Sequence, residues 1–183
     1  GYGDLFEEVH VIVLTTEKFD FGGIQVRDNV WIYPTSSHSL LWSLYDGYRL
    51  AKRELYFAEN FRADVVIGSD PFECGLLARF LARRYSRGLY IDVLNNFYDA
   101  YFRTQNEHND TRVLVARYVL KHANRIRVTE ASMRERIIKQ HKNAEGKISI
   151  LPQFVADLSE WRDAQPTKDL HQLYPQFKFI ILM

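Results

Sequence analysis

Short runs of β-branched and other apolar residues recur along the chain at 9–14, 30–33, 64–67, 89–94, 125–128 and 147–151. Runs of this length, dense in Val and Ile, predict strands, and their near-continuous apolar character predicts strands covered on both faces. Most are separated by amphipathic stretches long enough for helices, expected near 39–60, 71–86, 110–122 and 132–143. Strand and helix alternating in this way predict an α/β fold with a mainly parallel sheet and helices on both faces. In the second predicted helix Leu76, Leu77, Phe80 and Leu81 share a face. In the third, Val113, Ala116, Arg117 and Leu120 follow the same spacing.

Composition narrows the partners. Lys and Arg number 24 against 23 Asp and Glu, a net charge of +1, so nothing drives binding to a polyanion and no nucleic-acid partner is expected. The hydrophobic fraction of 46% supplies a packed core and argues against disorder. A lone cysteine, Cys74, can form no internal disulfide and no zinc site by itself, which fits a reducing, cytoplasmic setting and a side chain buried as a small hydrophobe. No apolar run approaches the roughly 20 residues of a membrane span. Arg79, Arg83, Arg84 and Arg87 give the second helix a basic face, read as a solvated surface, with peripheral contact to anionic lipid as the alternative.

In an open parallel sheet, ligands bind beyond the carboxyl ends of the strands. The residues there are Thr15-Thr16-Glu17, Thr35-Ser36-Ser37-His38, Gly68-Ser69-Asp70-Pro71, Asn95-Asn96, Thr129-Glu130 and Gln153-Phe154. Hydroxyls and amides dominate, a set suited to a polyhydroxylated molecule, although strand-to-helix loops are polar in any α/β protein. Asp70-Pro71-Phe72-Glu73 predicts a helix start with Asp70 as the cap, Pro71 in the first position and Glu73 closing a capping box. Two carboxylates already at the positive end of that helix make it a poor diphosphate site. The chain has no Gly-x-Gly-x-x-Gly, P-loop, Gly-x-Ser-x-Gly elbow or paired metal-ligand motif, and Phe21-Gly22-Gly23 lies outside any expected strand-to-helix turn. Its histidines, at 10, 38, 108, 122, 141 and 171, are scattered, and no metal site is expected.

The segments ADVVIGSDPFECGLLARFLARRY, GLYIDVLNNFYDAYF, RVLVARYVLKHANRIRVTEASMRERI and KISILPQFVAD, in that order, resemble the N-terminal domain of the glycogen-synthase-like (family 4) retaining glycosyltransferases. The likeness runs from about residue 9 to 157. It implies one Rossmann-like lobe of a GT-B fold, with acceptor contacts in this lobe and the nucleotide-sugar donor held largely by a second. Residues 1–157 would form the acceptor-side domain, lacking its first strand. Residues 158–177 would be a loop-rich crossing, and 178–183 the opening strand of the donor lobe. The resemblance implies sugar transfer with retention and without an obligatory metal, protein dipoles and cations neutralising the leaving diphosphate. Ser69, Asp70, Asn95, Asn96, Thr129 and Glu130 would line the acceptor side. One position departs from the family: where members place a histidine at the end of the fourth run, this chain has Leu94. A sugar-nucleotide epimerase on the same scaffold, a non-catalytic binding module and an inactive relative therefore stand as alternatives.

Overall fold

The computed structural model describes residues 2–58, 60–152 and 169–179. The chain divides into two units, residues 1–152 and 153–183. Within the second, the described residues hold one short helix, Leu170–Leu173, inside the expected crossing. Phe177 to Phe179 form no strand. Gln153, Phe154 and the rest of 153–168, like 180–183 of the expected donor-lobe strand, lie outside the described residues.

The first unit is α/β. Its larger sheet is all parallel, in the order β4 (Val65–Gly68), β5 (Gly88–Val93), β6 (Arg125–Val128), β7 (Ile148–Ile150). Flanking it are α2 (Glu73–Tyr85), α4 (Asn109–His122) and α5 (Ala131–Gln140), with the short α3 (Ala100–Gln105) after β5. This is the Rossmann-like alternation expected. A second sheet has the order β1 (Val9–Val13), β3 (Val30–Pro34), β2 (Ile24–Arg27). In it β1 and β3 run parallel, and β2 is antiparallel to β3. Strand β2 escapes a sequence reading because it has four residues, all exposed, with no buried face to print a pattern. The helix expected over 39–60 is α1 (Leu40–Leu50), capped where the Ser39 side chain accepts from the Trp42 N–H, and continues as a π-helical stretch over Ala51–Ala58.

Two apolar clusters hold this unit together. One gathers Leu89, Ile91 and Val93 of β5, Ile126 and Val128 of β6, Val113, Ala116, Val119 and Leu120 of α4, and Met133 and Ile137 of α5. The other gathers Tyr33, Ala51, Leu55, Leu77 and Leu81. Helix α2 belongs to both, through Ala78 and Ala82 on one side and Leu77 and Leu81 on the other. Its buried stripe is thus Gly75, Leu77, Ala78, Leu81 and Ala82, not the Leu76, Leu77, Phe80, Leu81 face expected; Phe80 is 45% exposed. Small residues put the helix backbone close to the sheet, which no hydrophobicity pattern signals. At Gly75 an added Cβ would stand 2.6 Å from the Asp70 carbonyl oxygen, and at Gly68 it would stand 2.9 Å from the Gly75 Cα. On α4 the expected stripe holds for Val113, Ala116 and Leu120, while Val119 takes the fully buried place beside half-buried Arg117.

Helix α2 ends with Ser86 in the left-handed region (φ 55°), where the Arg87 N–H returns to the Ala82 carbonyl at 2.8 Å. Its start differs from the expected capping box. The helix begins at Glu73 with Phe72 as the cap, and Asp70 Oδ1 accepts the Phe72 N–H at 2.6 Å. Glu73 does not fold back. It accepts from Arg112 Nε of α4 at 2.8 Å, so an ion pair across two helices takes the carboxylate that the motif assigned to the cap.

Candidate functional site

Strands β4, β5 and β6 are neighbours and parallel, so the segments after them leave the sheet along one edge. The registers pair Gly68 with Ile91 and Val93 with Val128. Ser69 and Asp70 follow the end of β4, Leu94 to Asn96 that of β5, and Thr129 and Glu130 that of β6. The structure therefore brings Ser69, Asp70, Asn95, Asn96, Thr129 and Glu130 to one edge as a stepped row. Ser69, Asn95 and Glu130 are exposed, while Asp70, Asn96 and Thr129 are half-buried.

Some of these side chains are already engaged. Asp70 holds the α2 turn. Asn96 Oδ1 accepts from Arg136 Nη1 of α5 at 3.4 Å. Glu130 is the N-cap residue of α5, yet its carboxylate makes no capping bond. No side-chain hydrogen bond occupies Asn95 or Thr129 among the described residues, which leaves an amide and a hydroxyl beside the Glu130 carboxylate with their polar groups uncommitted. Leu94, 36% exposed, stands in the same row. A leucine there offers surface but neither donor nor acceptor.

Aromatic packing fixes the loops that carry this row. Phe72 stacks on Phe102 at 5.5 Å and meets Phe97 edge-on at 5.7 Å, and Phe97 in turn lies 4.2 Å from Tyr98. Segments 70–73 and 97–102 thus share one cluster under the edge. Asp99 caps α3 by accepting the Tyr101 N–H at 2.9 Å. Burial pushes the Tyr98 phenol up to about 12, so it stays a neutral hydroxyl at any ordinary pH. Cys74 is half-buried, and its thiol is pushed up to about 12, by burial first and by the Asp70 carboxylate second. The neutral thiol is the form this favours, and the side chain is half-buried where a fully buried one was expected.

The ends of β1 and β3 contribute differently. Thr35 Oγ1 accepts the Thr15 N–H at 3.0 Å and donates to the Thr15 carbonyl at 3.0 Å. Ser37 Oγ donates to Asp46 Oδ2 at 2.7 Å, and Lys18 Nζ donates to the Ser36 carbonyl at 2.6 Å. These hydroxyls are spent on local structure. His10 lies in β1, stacked on Trp31 at 4.8 Å and held between Tyr33 Oη at 3.0 Å and Glu8 Oε1 at 2.7 Å.

One polar pair has no motif. Asp92 of β5 and Arg127 of β6 are cross-strand partners in register, 3.7 Å apart, with side chains only 8% and 17% exposed. Asp92 interrupts an apolar run, the one signal that could have singled it out; its partner is legible only once the register is known. Among the described residues, no group of three or more His, Cys, Asp and Glu side chains could hold a metal ion. No described helix is long and apolar enough to cross a membrane. No family model matches the chain, and no curated protein matches it either.

Proposed function

We propose that this lobe binds the sugar acceptor of a nucleotide-sugar-dependent glycosyltransferase. The observation that carries the reading is the stepped row on three adjacent parallel strands, with Asn95, Thr129 and Glu130 free to bond a ligand. An amide, a hydroxyl and a carboxylate offer donors and acceptors in alternation, which suits vicinal hydroxyls. The row offers no cluster of cations for a diphosphate, and carboxylates stand at both helix starts beside it, Asp70 and Glu73 at α2 and Glu130 at α5. The nucleotide-sugar donor would then be held elsewhere in the complete protein. Retention and independence from metal follow from the family resemblance alone.

The test uses the complete gene product with a panel of nucleotide sugars and candidate acceptors, reading nucleotide release and glycoside formation. Asn95→Ala and Thr129→Ala should each raise the acceptor KM about 5- to 100-fold, the cost of one or two lost hydrogen bonds, and leave donor KM unchanged. Unaltered acceptor kinetics in both variants would refute the assignment. An isomerised nucleotide sugar as product would instead identify an epimerase.

Leu94 favours a second reading, a relative that binds the acceptor without transferring to it. Complete absence of turnover across the panel, with acceptor binding retained and lost in Asn95→Ala, would establish that reading.

A further inference from the structure

Helix α1 and its π-helical continuation carry a solvent-facing stripe that the row at the strand ends does not use. At about 100° per residue, Leu41, Trp42, Tyr45, Arg49, Lys52 and Arg53 fall within about a third of the helix circumference. All six are exposed, while Ser43, Gly47, Ala51 and Leu55 on the opposite side are buried. The stripe is divided along its length. Its first half is apolar, with Leu41 80%, Trp42 58% and Tyr45 52% exposed, three neighbours in one patch rather than apolar residues scattered singly. Trp42 meets Tyr45 edge-on at 5.8 Å, and the Arg49 guanidinium lies 5.7 Å from the centre of the Tyr45 ring, so the two halves form one continuous surface. The second half is cationic. Asp46 is turned to Ser37, Glu54 offsets Arg53 alone, and among the described residues no carboxylate pairs with Arg49. The first turn holds no acidic residue, so the positive end of the helix dipole adds to the same bias. Lys18, tied to Ser36 ahead of the helix, is balanced by Glu17 and Asp20, which makes the positive charge the helix's own.

We propose that this stripe is a membrane-contact surface that rests on an anionic phospholipid bilayer, with Leu41, Trp42 and Tyr45 inserted at the boundary of headgroups and acyl chains and Arg49, Lys52 and Arg53 among the lipid phosphates. The division suits that boundary. Trp and Tyr settle there because the ring is apolar and its polar tip stays wet, and long basic side chains lay their stems on the apolar layer while the charge meets the phosphates. From Trp42 to Arg53 the helix rises about 16 Å. A tilt of about 30° lowers the apolar end by about 8 Å relative to the basic end, within the roughly 5–10 Å that interfacial helices reach. A helix face is also a convex ridge. A protein partner needs a complementary groove to bury Leu41 and Trp42, whereas lipid closes around a ridge without one. The basic face of α2 is the weaker candidate for such contact, since Phe80 is the one large apolar side chain it exposes beside Arg83 and Arg84. The inference is independent of the sugar-acceptor reading, for no residue of the stripe belongs to the acceptor row.

Co-sedimentation of the 183-residue chain with vesicles tests it, comparing phosphatidylcholine alone with phosphatidylcholine mixed with phosphatidylglycerol. The chain should bind the mixed vesicles, less as salt rises, with a blue shift of tryptophan fluorescence that Trp42→Phe removes. Leu41→Ser combined with Trp42→Ser should lower the partition about 100-fold. Arg49→Gln combined with Arg53→Gln should lower it about 25-fold, roughly fivefold for each charge. All four side chains are exposed, so circular dichroism should report an unchanged fold in both variants. Arg83→Gln combined with Arg84→Gln should leave binding as it was. No sedimentation with the mixed vesicles, sedimentation kept by the Leu41 and Trp42 variant, or a loss confined to the Arg83 and Arg84 variant would each overturn the proposal. So would a dimer that forms in place of vesicle binding and is abolished by the Leu41 and Trp42 variant, since a second copy would then cover the stripe.

Discussion

Gly75→Ala tests the closest approach in the fold. The new methyl would stand 2.6 Å from the Asp70 carbonyl oxygen and 3.1 Å from Val119 Cγ1, where ordinary contact starts at 3.4 Å. The first neighbour is backbone, and it cannot rotate aside as a side-chain end could. It also belongs to the turn in which Asp70 Oδ1 takes the Phe72 N–H. Overpacking of this kind costs about 1–3 kcal/mol, while alanine in place of a helical glycine returns roughly 0.5–1 kcal/mol. The net expectation is a loss of about 1–2 kcal/mol. For a chain of this size that lowers Tm by roughly 2–8 °C. Urea and thermal unfolding followed by circular dichroism measure it, with Gly146→Ala as control: a Cβ at Gly146 meets nothing within 4 Å, so that variant should be neutral or slightly stabilised. Gly75→Ala as stable as Gly146→Ala would show that helix α2 is not pinned against the Asp70 turn, and the placement of the stepped row would lose its footing.

Asp92→Ala should destabilise by about 3 kcal/mol in the same unfolding assay, because it removes the carboxylate facing the Arg127 guanidinium, whose side chain is only 17% exposed and keeps only its Nε bond to the Leu151 carbonyl. Cys74, with its thiol at about 12, should react with iodoacetamide at pH 8 roughly a thousandfold more slowly than a free cysteine; a rate within tenfold would contradict the burial. His141 is held below its usual 6.5, by burial first and then by the Arg117 and Lys121 charges. Its neutral form is the one the fold prefers, so this contribution to stability is complete above pH 6.5 and declines as pH falls from there through the lower folded value. His141→Gln should flatten the stability profile across that interval, and unaltered slopes would dismiss the effect.

Much of the architecture was legible because parallel strands announce themselves locally. The runs around Ile91 and Ile126 are strands within a residue or two of their expected limits. The gathering of Ser69, Asp70, Asn95, Asn96, Thr129 and Glu130 at one edge follows from strand direction, which alternation of strand and helix implies. What remained hidden depends on partners far away in sequence. Glu73 leaves its capping box for Arg112, 39 residues on, because a charged donor at 2.8 Å outcompetes a backbone N–H. The buried side of α2 was misplaced because Gly75, Ala78 and Ala82 are too small to weigh in a hydrophobic pattern, and their smallness is the reason they are inside. Only the fold reveals whether the hydroxyls after β1 and β3 are committed, as at Thr35 and Ser37, or uncommitted, as at Thr129.

Helix α2 faces two clusters at once, and this limits how the chain can be dissected. A piece starting near residue 60 would keep the four-stranded sheet but uncover much of Leu77 and Leu81, since Tyr33, Ala51 and Leu55 come from the discarded part and only Phe61, Val66 and Tyr85 of that cluster's partly buried rim would remain. Such a piece should self-associate through that stripe, and any trimmed version for biophysical work needs the first 58 residues or polar replacements at both leucines.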